Sequence, residues 1–188
     1  MFDSITIVGV GLIGGSLSLT LKEKGLVKHV IGVDHTEVNI NKALQLGLID
    51  EALTLEDAIK KSDLIYVAIP VDSMLSEMKK IIGMVNNTQV VVDAGSTKNA
   101  LCNVLGDHPM RKRFVASHPM WGTEHSGPEA AVSNAFAGRN CVICEKEKSD
   151  ENPLKVVEQM YSAIGMRMIY MNPIAHDIRV AYISHISH

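Results

Sequence analysis

Apolar residues in this chain fall into short blocks that alternate between two periods. The first block, Ser4 to Val8, is a β-branched run followed at once by glycines. Leu12 to Lys24 then places Leu17 and Leu21 on one helical face and stops at Gly25, as helices commonly do. The rhythm continues along the chain. His29 to Asp34, Leu64 to Ile69, Gln89 to Asp93, Phe114 to Ser117, Asn140 to Cys144 and Arg167 to Tyr170 read as strands. Val38 to Leu46, Asp72 to Ile82, Lys98 to Leu105 and Leu154 to Ile164 read as the helices between them. Strands that are apolar on both faces and separated by helices pack as a mostly parallel sheet covered on both sides. That is the doubly wound α/β architecture. The rhythm breaks near Asn172-Pro173, so residues 1–172 are expected to form one domain and 173–188 to begin a helical unit.

Composition narrows the class. The chain has 188 residues, 46% hydrophobic and 21% charged, which fits a globular domain and excludes long disorder. The formal net charge of -3, with no Lys/Arg block, argues against a nucleic-acid partner. The longest apolar runs are strand-sized, short of the roughly 20 residues that a membrane helix needs, so no membrane partner is expected. No leader pattern is read after Met1. Three cysteines form an odd count that disfavours a secreted disulfide framework, and the expected location is cytoplasmic.

Candidate chemistry gathers where strands end. Gly9-Val10-Gly11-Leu12-Ile13-Gly14 is a G-x-G-x-x-G between a strand and a helix. Such a turn needs glycine for tightness, for close approach of backbone to a pyrophosphate, and for packing helix on strand. The helix N-terminus beyond it offers free N–H groups to phosphates. Asp34 closes the second strand 20 residues after Gly14, where a carboxylate accepts from ribose hydroxyls and repels a 2′-phosphate. The expected cofactor is therefore NAD on a Rossmann-type fold, with Gly9, Gly11, Leu12, Ile13, Gly14, Asp34 and Pro70 around it; the plainer reading of Asp34 is a turn cap. Later strand ends bring Ser96 and His118 to the same rim. His118 is a candidate general base and Ser96 a candidate hydroxyl partner; a loop histidine and a helix N-cap are the plainer readings. Trp121 is expected at the cleft mouth, and Lys98 as a solvated lysine at a helix start. Cys141 and Cys144 spell C-x-x-C, but residues three apart on a strand point to opposite faces, so no metal site is expected.

The VGVGLIGGS turn, the DAGSTK loop, the SHPMWGTEHSG segment and the terminal AHDIRVAYISHISH together resemble the prephenate dehydrogenases, a family that includes the arogenate dehydrogenases of tyrosine biosynthesis. The resemblance implies NAD-dependent oxidative decarboxylation of prephenate to 4-hydroxyphenylpyruvate, with arogenate as the rival substrate. It matches His118 to the catalytic histidine and Ser96 to the serine that bonds the same hydroxyl and helps hold the nicotinamide end. His188 and His176 match histidines on the substrate side; Ser187 stands where the family usually has proline. It also implies a helical, homodimer-forming domain that supplies an arginine for a substrate carboxylate, of which residues 173–188 would be the truncated start. Two other readings stay open at this stage: another NAD-dependent hydroxyacid dehydrogenase, for which Lys98 would be the reactive-site lysine, and a non-catalytic NAD-binding module.

Overall fold

The structure is a computed structural model that describes residues 1–186, with side chains through Tyr182. Eight strands form one sheet: β1 (Phe2–Val8), β2 (Val27–Val33), β3 (Glu51–Ala52), β4 (Leu64–Val67), β5 (Val90–Asp93), β6 (Phe114–Pro119), β7 (Asn140–Cys144) and β8 (Arg167–Met171). Seven helices accompany them: α1 (Leu12–Glu23), α2 (Glu37–Gln45), α3 (Leu55–Lys61), α4 (Val71–Met84), α5 (Asn99–Leu105), α6 (Glu151–Ala163) and α7 (Pro173–Ile186). The strand order is β3-β2-β1-β4-β5-β6-β7-β8. All pairings are parallel except β6 with β7, where Ser117 faces Ile143 and His118 faces Val142.

Period-two alternation sorts the side chains into two cores. Ile5, Ile7, Tyr66 and Val92 point to one face and pack with Leu17 and Leu21 of α1 and Val157 and Tyr161 of α6. Val8, Ile65, Val67 and Val91 point to the other and pack with Met78 and Ile81 of α4 and Leu101 of α5. Both faces are dry, as the near-continuous apolar strands require. The C-x-x-C strand obeys the same rule: Cys141 joins the first core and Cys144 the second. All three cysteines are free, and no metal-binding cluster occurs among the described residues.

Two elements go beyond the sequence reading. Strand β3 has only two residues, too few to carry a period. Helix α3 begins at Thr54, whose Oγ1 accepts from Asp57 N at 3.3 Å and donates to Asp57 Oδ2 at 3.0 Å. Thr54-x-x-Asp57 is a capping signature that marks this helix start. Helix α7 packs on α5 and β7. No helix among the described residues is long and apolar enough to cross a membrane.

The glycine turn is packed closely on itself and on the chain just after β4. Gly9 has φ +92, and a Cβ there would sit 2.4 Å from the Ala68 carbonyl oxygen; one on Gly14 would sit 2.0 Å from the Gly9 carbonyl oxygen. A Cβ on Gly11 would meet only Gly127 N, at 3.9 Å. Overpacking against backbone costs about 1–3 kcal/mol. Gly14→Ala should therefore lose about that much stability in urea unfolding. Gly11→Ala should stay within about 0.5 kcal/mol of the parent, because its missing side chain leaves open space rather than a packed contact.

Candidate active site

Open parallel sheets place ligands beyond the carboxyl ends of their strands, and here a connected run of cavities lies along that rim. At one end, about 520 Å³ is walled by Val33, Asp34, His35, Ile69, Pro70 and Glu77. Ile69 and Pro70 also wall the next cavity, about 300 Å³, with Leu12, Ile13, Ser96 and His118. A third, about 610 Å³, shares Ser96, His118, Trp121, Gly122 and Thr123 with the second and adds Met120, Arg139 and Val180. Ser96 and His118 thus stand on the boundary between two adjoining spaces.

The dinucleotide end fits its expected ligand. Helix α1 starts after Gly11 with no side-chain cap, so its first amides face outward toward the open space that Gly11 leaves. The Asp34 carboxylate closes the turn. Its Oδ2 accepts from Val10 N at 3.1 Å, and its Oδ1 from Thr36 N at 3.0 Å and Asn39 Nδ2 at 3.2 Å. Asp34 therefore caps the turn, and its side chain, 5% exposed, borders the first cavity.

At the other end, a chain of hydrogen bonds runs from α7 to β6. His176 Nδ1 lies 2.7 Å from Asp177 Oδ1, and His176 Nε2 lies 2.9 Å from His118 Nδ1. Burial works to raise the Asp177 pKa, but hydrogen bonds from Asn99 N, His176 and Lys98 N outweigh it and hold the carboxyl below its ordinary value. An ionised Asp177 only accepts, so His176 Nδ1 donates to it. With His118 Nδ1 as the donor, His176 Nε2 accepts and the three groups form one relay. His118 Nε2 is left as an unprotonated nitrogen with no hydrogen-bond partner among the described residues. Burial, then the Lys98 ammonium and His176, push the His118 pKa down to about 3, so the ring is neutral at ordinary pH.

The structure corrects three expectations. Lys98 is not solvated: its side chain is 0% exposed and its ammonium is ion-paired with Asp93. It points into the protein, beneath the rim. Ser96 does not cap α5. It is exposed and lines both cavities, while the cap comes from α7: Asp177 Oδ1 accepts from Lys98 N at 2.8 Å and Oδ2 from Asn99 N at 2.9 Å. His176 does not face a substrate. It is 1% exposed and both ring nitrogens are engaged, so it stands behind His118. Trp121 is where the sequence put it, lining both cavities and packed edge-on against Phe136 with ring centroids 5.6 Å apart. His188 lies outside the described residues.

A buried polar layer supports the rim. Asp93 Oδ2 also accepts from Gly95 N at 2.9 Å, and Oδ1 from Ser117 N at 3.0 Å. Ser117 Oγ donates to the Asp93 carbonyl and lies 2.8 Å from Tyr161 Oη, which donates to Tyr66 Oη. Asp93, Asp177 and Arg139 escaped the sequence reading as site residues, and Lys98 entered it only as the reactive-site lysine of the alternative dehydrogenase. Only the His-Asp pair at 176–177 carried a local signal.

Comparison with known proteins gives a consistent picture. The family model described as "Prephenate dehydrogenase, nucleotide-binding domain" matches residues 17–170, beginning just after the glycine turn. The prephenate dehydrogenase of Bacillus subtilis is 29% identical over all of this chain and 52% of its own length. The crystal structure of Aquifex aeolicus prephenate dehydrogenase in complex with hydroxyphenyl propionate and NAD+ is 33% identical, with a TM-score of 0.87 over 98% of this chain and 65% of that one. Synechocystis arogenate dehydrogenase is 30% identical, with a TM-score of 0.86 over 97% and 64%. The chain spans about half to two thirds of the length of these proteins.

Two outcomes check this geometry. Lys98→Met leaves Asp93 buried without its partner, so it should cost about 3–5 kcal/mol in denaturant unfolding, and adding Asp93→Asn should restore most of the loss. His118 carries a folded-state pKa far below its unfolded value of about 6.5. Between those values the unfolded chain binds more protons, so stability falls as pH drops below about 6.5. A pH series of melting temperatures should show a shallower acid slope in His118→Asn than in the parent.

Proposed function

Because this chain belongs to the prephenate dehydrogenase family, we propose that it binds NAD and carries the base for oxidative decarboxylation of prephenate to 4-hydroxyphenylpyruvate. Arogenate, which bears an amino group in place of the keto group, is the second candidate substrate. The observation that carries this reading is the position of His118. Its bare Nε2 belongs to a side chain that walls both a cavity lined by the glycine-turn helix and a second cavity on the far side.

The residues fit the cofactor. Gly11 leaves the close-approach space, the α1 amides face it, and Asp34 and Glu77, the latter paired with Lys80, border the adjoining cavity. Negative charge there supports NAD over a 2′-phosphorylated cofactor. When bound, NAD supplies the hydride acceptor. The protein's own task is then a proton. Nε2 of His118 takes the proton of the ring hydroxyl as hydride departs from the same carbon, carbon dioxide leaves the opposite ring carbon with its bonding pair passing into the ring, and the imidazolium returns the proton to the oxygen of the now aromatic product. Ser96, exposed on the shared boundary, donates to the hydroxyl oxygen and fixes its direction. Asp177 and His176 act through His118: they settle which nitrogen is free, and the Asp177 carboxylate favours the imidazolium that forms, the logic of a base held by an orienting partner.

The burial of Lys98 weighs against a hydroxyacid dehydrogenase that works through a lysine, since its ammonium faces Asp93 and not a cavity. In the same reading, residues 1–172 form the nucleotide-binding domain and α7 opens a helical unit that pairs two copies in the cytoplasm. Exposed Ile174, Ile178 and Tyr182 on α7 support that last point. His188 keeps its place in the reading as a substrate-side residue.

The test is NADH production from prephenate, followed by absorbance with the full-length protein. His118→Asn should lower kcat by about 10²–10⁴ while leaving NAD affinity within a few-fold. Unchanged turnover would remove the mechanism, and NAD binding with no substrate-dependent signal in the parent would favour a module without catalysis.

A further inference from the structure

Arg139 is the feature that the reading above does not use. It lies immediately before β7, and the antiparallel register that pairs Pro119 with Cys141 carries on to put it across from Trp121. Met120 N donates to Asn140 O at 2.8 Å, which continues that pairing past the strand end. The backbone around Arg139 is pinned on three sides. Its N–H donates to Phe136 O at 3.1 Å, its carbonyl accepts from Arg167 N at 2.9 Å, and Gly138, at φ +74, donates to Gly165 O at 2.9 Å. The side chain is in a different state. The two arginines just before β6, at the opposite end of that strand, are buried and paired, Arg111 with Glu145 and Arg113 with Asp150. Arg139 is exposed, and among the described residues no carboxylate lies within 4.0 Å of its guanidinium.

Its direction is informative. Arg139 walls the cavity that holds Ser96, His118, Trp121 and Val180, and it does not wall the adjoining cavity of Leu12 and Ile13. Arg139 therefore borders the cavity beyond Ser96 and His118 and not the one lined by the start of α1. It is also the one Lys or Arg among the described residues lining that cavity. His118 is held neutral, so it offers an anion no charge. A ring acid with two carboxylates entering this space meets a single fixed cation.

Resting on the functional reading above, we propose that Arg139 is a substrate-binding residue whose guanidinium takes one carboxylate of the dicarboxylate ring substrate. Guanidinium suits the role because it is planar, permanently charged, and able to donate two parallel hydrogen bonds to one carboxylate. The rigid backbone beneath it fixes where that fork sits relative to His118. It does no proton chemistry, so it contributes to binding and leaves the chemical step alone.

The experiment is steady-state kinetics of the full-length protein and its Arg139→Met and Arg139→Lys variants with prephenate and NAD. Loss of a charge-assisted hydrogen bond predicts that Arg139→Met raises KM for prephenate by about 10–100-fold. It predicts kcat within about three-fold and KM for NAD unchanged. Arg139→Lys should recover part of the loss. Because the side chain is exposed, the melting temperature should not move, which separates binding from folding. The proposal is overturned if the parent turns over prephenate and Arg139→Met leaves its KM alone, or if the KM for NAD rises instead. A parent that makes no NADH from prephenate is a separate result: it overturns the functional reading and the proposal built on it.

Discussion

One carboxylate on α7 decides which nitrogen of His118 carries a proton. Asp177 accepts from His176, His176 accepts from His118, and the ring nitrogen left over is the one at the cavities. The same carboxylate caps α5 through the Lys98 and Asn99 amides. A helix that follows the last strand is thus tied both to the base and to the loop that presents Ser96. If Asp177 were removed, two α5 amides would lose their acceptor and His118 would lose its fixed tautomer together. Double-mutant analysis is the appropriate way to separate those effects, because groups in one network do not add.

The second constraint is a buried charge. An ion pair in a dry interior seldom adds stability over a well-packed apolar substitute, yet breaking one is costly. Lys98 with Asp93 is such a pair, and its geometry shows what it secures. Asp93 ends β5, bonds the Gly95 amide in the turn after it, and bonds the Ser117 amide one residue before His118. The pair locks the DAGSTK loop to β6, so that Ser96 and His118 keep a fixed spacing. The ammonium also disfavours a second positive charge on His118. Specific geometry and a neutral base come from the same buried salt bridge.

Most of the fold was legible because the central strands are apolar on both faces and most helices end in glycine or a polar turn. The glycine turn was legible because its chemistry is local: three glycines and an acid at the next strand end. The antiparallel direction of β7 was not, since alternation looks the same in either sense. Lys98 was misread for a physical reason. A lysine at a helix start is solvated unless something buried neutralises it, and its partner sits five residues upstream on a strand end, inside the protein only after the sheet forms. His176 was placed near the site but on the wrong side of His118, because contact across 58 residues of sequence has no local mark. Arg139 carries no local signal, since only the pairing of β7 with β6 brings it to the rim.

The most direct test of this account is the protonation pattern of His118 itself, read by two-bond nitrogen–proton NMR on protein with labelled histidine, with the signal assigned by its loss in His118→Asn. At neutral pH the account predicts a neutral ring with the proton on Nδ1 and a bare Nε2. A ring protonated on Nε2, or an imidazolium at that pH, would contradict it.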